Sequence, residues 1–365
     1  MKIVFLCGAR DFHAIDWYRS AKSISYNHEV VILTDLIVSE GYKKLVSEND
    51  IVYNLFILDK YLFKNESKYG NYWRNCLKLI LFPIQLFLLI RFKIKNPHSI
   101  YHAHSMYYIW LAWAARLKFI ATPQGSDILV KPYSSILYWY FSKFALKSAK
   151  IITVDSNLMA KGVYSISGIF PVIIQNGIDL TSLLLNTNKF RNHKRDKILS
   201  IRGFSSLYCL DQILISRNNS SEFFNHPITF IYPFVDSVYK QNVLSFFRDF
   251  DSDIGRLEKD KMYELLLNTF LVVSIPISDS SPRSVYEAIF CGCAVAIRYN
   301  PFYDDLPECM KSRIILVDLN NSNWFDDAVK SASLIVKNNF VPTEQALNEY
   351  DQLKSSEKLI QLLLS

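Results

Sequence analysis

The sequence predicts an α/β protein made of two doubly wound parallel-sheet domains that face each other across a cleft. Three observations predict it. Short apolar, β-branched runs recur along the chain, and runs of that kind, buried on both faces, mark parallel strands. The stretches between them are long enough for crossover helices. The alternation breaks once, in a polar and basic segment after residue 180, and then resumes. A length of 365 residues also suits two domains better than one core.

Taken in order, the runs of the first half are "KIVFLC", "EVVILT", "IVYNLFIL", "SIYHAH", "KFIATP", "KIITVD" and "PVIIQN". Residues 134–150 are one of the helix-length intervals. These elements give a first domain over 1–180. The segment 181–197, "TSLLLNTNKFRNHKRDK", reads as a linker. Runs resume with "KILSIRG", "PITFIYP", "FLVVSIP", "CAVAIRY" and "RIILVD", a second domain over 198–342. The tail, 343–365, has helical periodicity and reads as a C-terminal helix. Ligands of open parallel sheets bind at the carboxyl ends of the strands, so both domains would present those ends to the cleft.

Half of the residues are apolar and 21% are charged, which excludes a disordered chain. The net charge of +7 permits an anionic partner. The six cysteines are scattered, with no CxxC pair and no zinc-like spacing. They read as buried free thiols of a reducing compartment. The opening "MKIVFLCGAR" reads as a first core strand and not as a signal peptide.

Residues 77–95, "LKLILFPIQLFLLIRFKIK", complicate a purely soluble reading. The apolar centre is too short to span a bilayer. Pro83 interrupts it, and Lys78, Arg91, Lys93 and Lys95 bracket it. One reading is a buried helix with a basic end. The other is a helix resting on an anionic membrane surface.

The chemistry concentrates in "SDSSPRSVYEAIFCGCAVAI", 278–297. "FLVVSIP" before it is a buried strand, "SDSSP" a loop, and Pro282 suits the first position of a helix. Asp279, Ser280 or Ser281 can cap that helix. Free amides at its start, the helix dipole and Arg283 make an anion site, and a diphosphate suits it. Ser284 lies on the same first turn. Glu287, four residues after Arg283, can pair with it or accept hydrogen bonds from ribose hydroxyls. Asp279 at the helix mouth can take hydrogen bonds from a sugar beyond the phosphates.

This stretch resembles the acidic-x7-Glu signature of retaining GT-B glycosyltransferases, in particular glycosyltransferase family 4. The usual first residue is Glu, and here it is Asp279. The resemblance covers most of the chain. "IIQNGIDL" is similar to the close of the family's N-terminal domain, and "SIRGF" to the first strand of its second domain, which ends in a phosphate-binding arginine, here Arg202. "YHAHSMYYIWLAWAA" followed by "IATPQGSDIL" resembles the family's His-containing strand end and Gly-Ser-Asp loop. "LEKDKMYELLLNTFLVVSIPISDSSP" resembles its helix–strand run into the signature. Gln124 stands where many members have a histidine, and Leu207 and Tyr208 where they have a lysine. The loop "CGARDFH" lacks a GxGxxG fingerprint.

The resemblance implies two Rossmann-like domains and transfer from a nucleotide-diphosphate sugar with retention. It implies no cofactor and no metal. Arg202, Asp279 and Gln124 would be catalytic, with attack from the leaving-group face. Ser280, Ser281, Pro282, Arg283, Ser284 and Glu287 would complete the donor site. His13, Asp16, His104, Gly125 and Asp127 are acceptor-side candidates; "PQGSD" also reads as a turn with a capping Asp, and a lone His such as His13 as structural. His102 and His104 alternate along one strand and point the same way. The segment 77–95 suggests a lipid-linked glycan acceptor, such as a polyprenyl-borne one, as in bacterial surface polysaccharide assembly. That places the protein in the cytoplasm, at the inner face of the membrane, with no nucleic-acid partner. A nucleotide-sugar 2-epimerase of the same architecture, or a non-catalytic scaffold, are the alternatives.

Overall fold

The computed structural model describes residues 2–8, 11–25, 27–35, 46–47, 49–55, 68–189 and 194–365. The chain divides into two compact units. Unit one is Met1–Gln175 with Leu353–Ser365, and unit two is Asn176–Gln352.

Unit one is built on β1 (Lys2–Leu6), β2 (Glu29–Thr34), β3 (Val52–Asn54), β4 (Ile100–His104), β5 (Phe119–Thr122), β6 (Ile151–Val154) and β7 (Val172–Ile173). Their order is β3-β2-β1-β4-β5-β6-β7, and the pairings are parallel. Alternation along β1 feeds two layers. Ile3 and Phe5 pack with Ile15 of helix Phe12–Ile24 and with Leu359 and Leu363 of the last helix. Val4 and Leu6 pack with Leu89, Met106, Ala145 and Val163 on the opposite face. Of the expected strand "IVYNLFIL", only Val52–Asn54 forms β3, and residues 56–58 lie outside the described residues.

Unit two is built on β8 (Lys197–Ser200), β9 (Ile228–Ile231), β10 (Ser252–Gly255), β11 (Thr269–Ser274), β12 (Ala294–Arg298) and β13 (Ile314–Val317). The order is β10-β9-β8-β11-β12-β13, again parallel. Every residue of β11 is buried, as its unbroken apolar run requires.

Two boundaries differ from the sequence reading. The segment expected as a linker, 181–197, lies largely in a helix, Leu180–Lys189. Leu180 and Leu183, three residues apart on one helical face, are buried in the core of unit two. Residues 190–193 lie outside the described residues. The tail forms two helices, Glu344–Glu349 and Gln352–Leu364. Its last residues belong to unit one, because Leu359, Ile360 and Leu363 form one apolar face that the layer beside Ile3 and Phe5 buries.

Residues 77–95 lie in one long helix, Lys68–Lys95, with Pro83 inside it. Among the described residues no helix is long and apolar enough to cross a membrane.

Candidate functional site

In unit two the strand order reverses between β8 and β11. Loops leaving their carboxyl ends diverge there, which is where open parallel sheets hold ligands. Arg202 lies just beyond β8, and Ser274 ends β11. Arg202 Nε donates to Ser274 Oγ at 2.6 Å, and Nη2 donates to Asp279 Oδ2 at 2.6 Å. The fold thus brings together two residues that the sequence placed in the site, from loops after different strands. The Tyr208 ring centroid lies 5.5 Å from the guanidinium carbon. An aromatic face therefore lies over the guanidinium, where the sequence resemblance implies a lysine. Burial holds the Tyr208 hydroxyl above its ordinary pKa against the opposing charge of Arg202, with a smaller push from Asp279.

The loop carrying Asp279 is fixed by a residue that sequence reasoning missed. Asn300 is buried, its Oδ1 accepts from the Asp279 amide at 2.9 Å, and its Nδ2 donates to the carbonyls of Pro276 and Arg298. A polar amide directly after the apolar run "AVAIRY" was the available signal. The Ile277 amide also donates to the Leu207 carbonyl at 2.8 Å, tying the two loops together.

The helix of the signature runs Arg283–Phe290, one residue later than expected. Pro282 occupies the capping position instead of the first turn, and proline has no side-chain oxygen to satisfy the amides behind it. Asp279 faces Arg202, so its carboxylate is engaged away from the cap. Ser280, Ser281, Arg283 and Ser284 are half-buried at the helix mouth. Arg283 Nη2 donates to Gln352 Oε1 at 3.4 Å. Glu287 is buried, and its Oε1 accepts from the Tyr263 hydroxyl at 3.2 Å. Burial, and then the neighbouring Glu287 charge, push the Tyr263 pKa far up, so Tyr263 stays a proton donor. Tyr263 was not singled out in the sequence because it reads as one more core aromatic.

The equivalent reversal in unit one lies between β1 and β4. Asp11, another residue the sequence did not single out, organises it. Its Oδ1 caps helix Phe12–Ile24 through the Ala14 amide at 3.2 Å. Its Oδ2 accepts from Gln124 Nε2 at 2.6 Å and lies 3.7 Å from His104 Nε2. Gln124 and His104 are thus gathered around one carboxylate. A carboxylate oxygen accepts, so the Gln124 nitrogen faces Asp11 and its oxygen accepts from the Asp127 amide, closing a capping box.

Asp127 caps its own turn, the second of the two places the sequence allows it. It is buried, and its carboxylate accepts from the amides of Met106 and Gln124, from Lys131 Nζ at 2.7 Å and from the Tyr138 hydroxyl at 3.2 Å. Those four donors make it a brace for the loop. Gly125 opens the short helix Gly125–Leu129 beside Gln124. His13 is exposed and Asp16 half-buried on helix Phe12–Ile24, while Ala9 and Arg10 of the same loop lie outside the described residues. His102 is buried, hydrogen-bonded to Thr122 Oγ1 at 2.7 Å, and held neutral by burial and by His104. Among the described residues no group of three or more His, Cys, Asp or Glu is placed to hold a metal ion.

Two of the cations expected to bracket 77–95 face inward. Lys78 Nζ lies 3.2 Å from the buried Asp35 carboxylate and donates to the Tyr108 hydroxyl at 3.0 Å. Lys93 Nζ donates to the carbonyls of Ala115 and Arg116 at 3.1 and 2.8 Å. A buried carboxylate and helix-end carbonyls outcompete solvent for these two amines. Arg91 and Lys95 remain exposed.

Two parallel sheets of seven and six strands in this order define the GT-B fold, and solved GT-B structures match the chain over its full length. Sucrose-phosphate synthase from Thermosynechococcus elongatus matches with a TM-score of 0.71 at 12% identity, covering 99% of this chain and 98% of that one. Anabaena HepE, solved in complex with UDP and glucose, matches with a TM-score of 0.69 at 12% identity over 100% and 99% of the two chains. UDP-GlcNAc 2-epimerase from Neisseria meningitidis, bound to UDP-GlcNAc, matches with a TM-score of 0.60 at 11% identity over 100% of each. No family model and no curated protein sequence matches the chain.

Proposed function

We propose that this protein is a retaining glycosyltransferase of the family 4 type, which moves a sugar from a nucleotide-diphosphate donor to a glycan acceptor. The observation that carries the reading is the meeting of Arg202 and Asp279, 77 residues apart, at the strand reversal of unit two. A guanidinium there suits a departing diphosphate, and a carboxylate beside it suits sugar hydroxyls. The solved complex of HepE with UDP and glucose supports a nucleotide-sugar ligand for the same fold.

In this reading Arg202, Arg283 and the amides at the start of Arg283–Phe290 stabilise the charge that grows on the leaving diphosphate. Ser280, Ser281 and Ser284 add hydrogen bonds at the same mouth. Glu287, held by Tyr263, accepts the ribose hydroxyls. Asp279 holds the sugar, and Gln124 offers its amide oxygen to a sugar hydroxyl. The acceptor attacks from the face that the diphosphate leaves. His104 and the residues around it stand on the acceptor side. A lipid-linked acceptor in bacterial surface polysaccharide or glycoconjugate assembly fits the exposed apolar side of 77–95, which would rest on the inner membrane face.

The test is incubation of the purified protein with a panel of nucleotide sugars, with and without a polyprenyl-diphosphate glycan, read by mass spectrometry. Release of nucleoside diphosphate and a heavier acceptor are expected. An isomerised donor would establish the epimerase chemistry of the Neisseria neighbour instead, and absence of donor binding would leave a scaffold.

A further inference from the structure

Unit one carries apolar side chains outward on two helices. On Lys68–Lys95, the residues Leu79, Ile80, Ile84, Phe87 and Ile94 are 46–73% exposed. On Ile136–Ser148, the residues Ile136, Leu137, Tyr140, Phe141 and Phe144 are 48–72% exposed. Both sets follow helical spacing, so each forms a row on one face. The inward faces are already filled by Leu89 on one helix and by Ala145 and Leu146 on the other, all fully buried. Apart from the edge contacts of Tyr140 and Phe141 with neighbouring tryptophans, the outer rows are therefore surplus to packing.

The two rows belong to one layer. Helix Met106–Ala114 packs against both, with Tyr107 edge-on to Phe82 at 6.0 Å on one side. On the other side Trp110 meets Tyr138 at 4.9 Å and Trp113 meets Phe141 at 6.2 Å. A groove of about 520 Å³, lined by Trp113, Ala114, Arg116, Leu117 and Ser148, opens in the same layer. An apolar face of this extent marks an interaction surface.

Charge selects the partner. Between residues 72 and 150 there are eleven lysines and arginines and one acidic residue, Asp127. That aspartate is buried and paired with Lys131. The chain as a whole carries only +7, so the entire cationic surplus lies in this stretch. Arg91, Lys95 and Lys147 are exposed near the ends of the two helices, and Lys143 lies over the Trp139 ring at 4.6 Å. Apolar rows with cations and no exposed acid match an anionic lipid surface, where side chains enter the acyl boundary and cations meet phosphates.

We propose that helix Ile136–Ser148 is a second membrane contact, lying in the plane of an anionic bilayer beside Lys68–Lys95. Leu137, Phe141 and Phe144 enter the headgroup boundary, and Lys143 and Lys147 face the phosphates. This rests on the lipid-facing reading of 77–95 and not on the chemistry of transfer.

Sedimentation of the full chain with phosphatidylcholine vesicles, with and without about 30% anionic phosphatidylglycerol, tests it. Binding should need the anionic lipid and weaken as salt rises. Leu137→Glu with Phe141→Glu should lower it on the order of tenfold or more, and Ile136→Glu with Tyr140→Glu, made separately, should act in the same way. All four side chains are exposed, so the fold should survive, with the melting temperature lowered only by the lost ring contacts of Tyr140 and Phe141. Brominated lipid chains should quench tryptophan emission of the wild type. The inference is overturned if the wild type ignores anionic vesicles, or if folded variants of this helix bind as the wild type does. It also fails if light scattering shows a dimer that the variants dissociate, since a second copy then covers the face. Donor turnover measured without membranes stays separate: its absence alongside intact vesicle binding would sink the enzymatic reading alone.

Discussion

Arg202 and Asp279 hold each other at 2.6 Å, with side chains 10% and 18% exposed. Ser274 fixes the guanidinium from one side and Asn300 fixes the aspartate's loop from the other. Each residue therefore neutralises the other where a diphosphate and a sugar are proposed to bind. In the proposed function a diphosphate would compete with Asp279 for the same arginine, and its arrival would free the carboxylate for the sugar.

This competition gives a signed expectation. Asp279→Asn removes the rival anion, so nucleoside diphosphate should bind more tightly, by about three- to tenfold. Sugar transfer should nevertheless fall by about a hundredfold, since the sugar contact is lost. Arg202→Ala should lower kcat more than it raises the donor KM. Calorimetry with the diphosphate alone decides the first point: weaker binding in Asp279→Asn would mean that Asp279 supports the arginine and does not compete with the ligand.

Glu287 offers a second check. If it accepts ribose hydroxyls, Glu287→Ala leaves polar groups unpaired and costs about 2–4 kcal/mol, some 30- to 1,000-fold in kcat/KM. Tyr263 donates to Glu287 and in this reading reaches the ligand only through it, so Tyr263→Phe should cost about tenfold or less. Steady-state kinetics on folded variants compare them. Near-normal turnover in Glu287→Ala would leave the residue with a structural role beside Tyr263.

Much of this was legible in one dimension. The central strands of both sheets are apolar runs buried on two faces, and such runs announce themselves; β10, Ser252–Gly255, is a polar and largely exposed edge strand, and no apolar run marked it. Arg202 and Asp279 stand beside strands within recognisable motifs, so sequence order alone put them near one another. Asp11, Tyr263 and Asn300 were not legible, for a physical reason. Each matters through a partner far along the chain, 113 residues away for Asp11 and Gln124, 24 for Tyr263 and Glu287, and 21 for Asn300 and Asp279. A lone Asp at a helix start or a Tyr in a core helix carries no mark of such a partner. The polar composition of 181–197 hid the helix that Leu180 and Leu183 anchor, and the inward turn of Lys78 depends on Asp35, which no local pattern connects to it.

The buried His102 makes stability depend on pH. Burial, and then His104, hold its pKa well below 6.5 in the folded state, with Phe5 edge-on at 5.0 Å and Thr122 hydrogen-bonded. The unfolded chain protonates it near the ordinary value of about 6.5. Below that pH the unfolded state binds more protons, so stability falls as pH drops, by up to about 1.4 kcal/mol per unit for this group. Above it the term vanishes. His102→Gln should flatten the decline in melting temperature between roughly pH 6.5 and 5. An unchanged slope would assign the pH dependence to other groups.

The last expectation concerns which atom Gln124 presents. Asp11 accepts from its nitrogen at 2.6 Å, and its amide oxygen accepts from the Asp127 amide in a capping box, so the second lone pair of that oxygen is the one left to meet a sugar hydroxyl. Gln124→Glu would set two carboxylates against each other and should reduce turnover by about a hundredfold. Asp11→Asn alone keeps a capping side chain for Ala14 but lets the glutamine turn over, and should cost about tenfold. Combining the two changes restores the pairing with reversed polarity. The amide nitrogen introduced at position 11 then donates to one oxygen of the carboxylate introduced at position 124, and the second oxygen faces outward as an acceptor. The double variant should therefore be more active than Gln124→Glu by about tenfold, with little change in melting temperature. A double variant no better than Gln124→Glu would show that Asp11 does not act by orienting Gln124, and that its service to the fold ends at the helix cap.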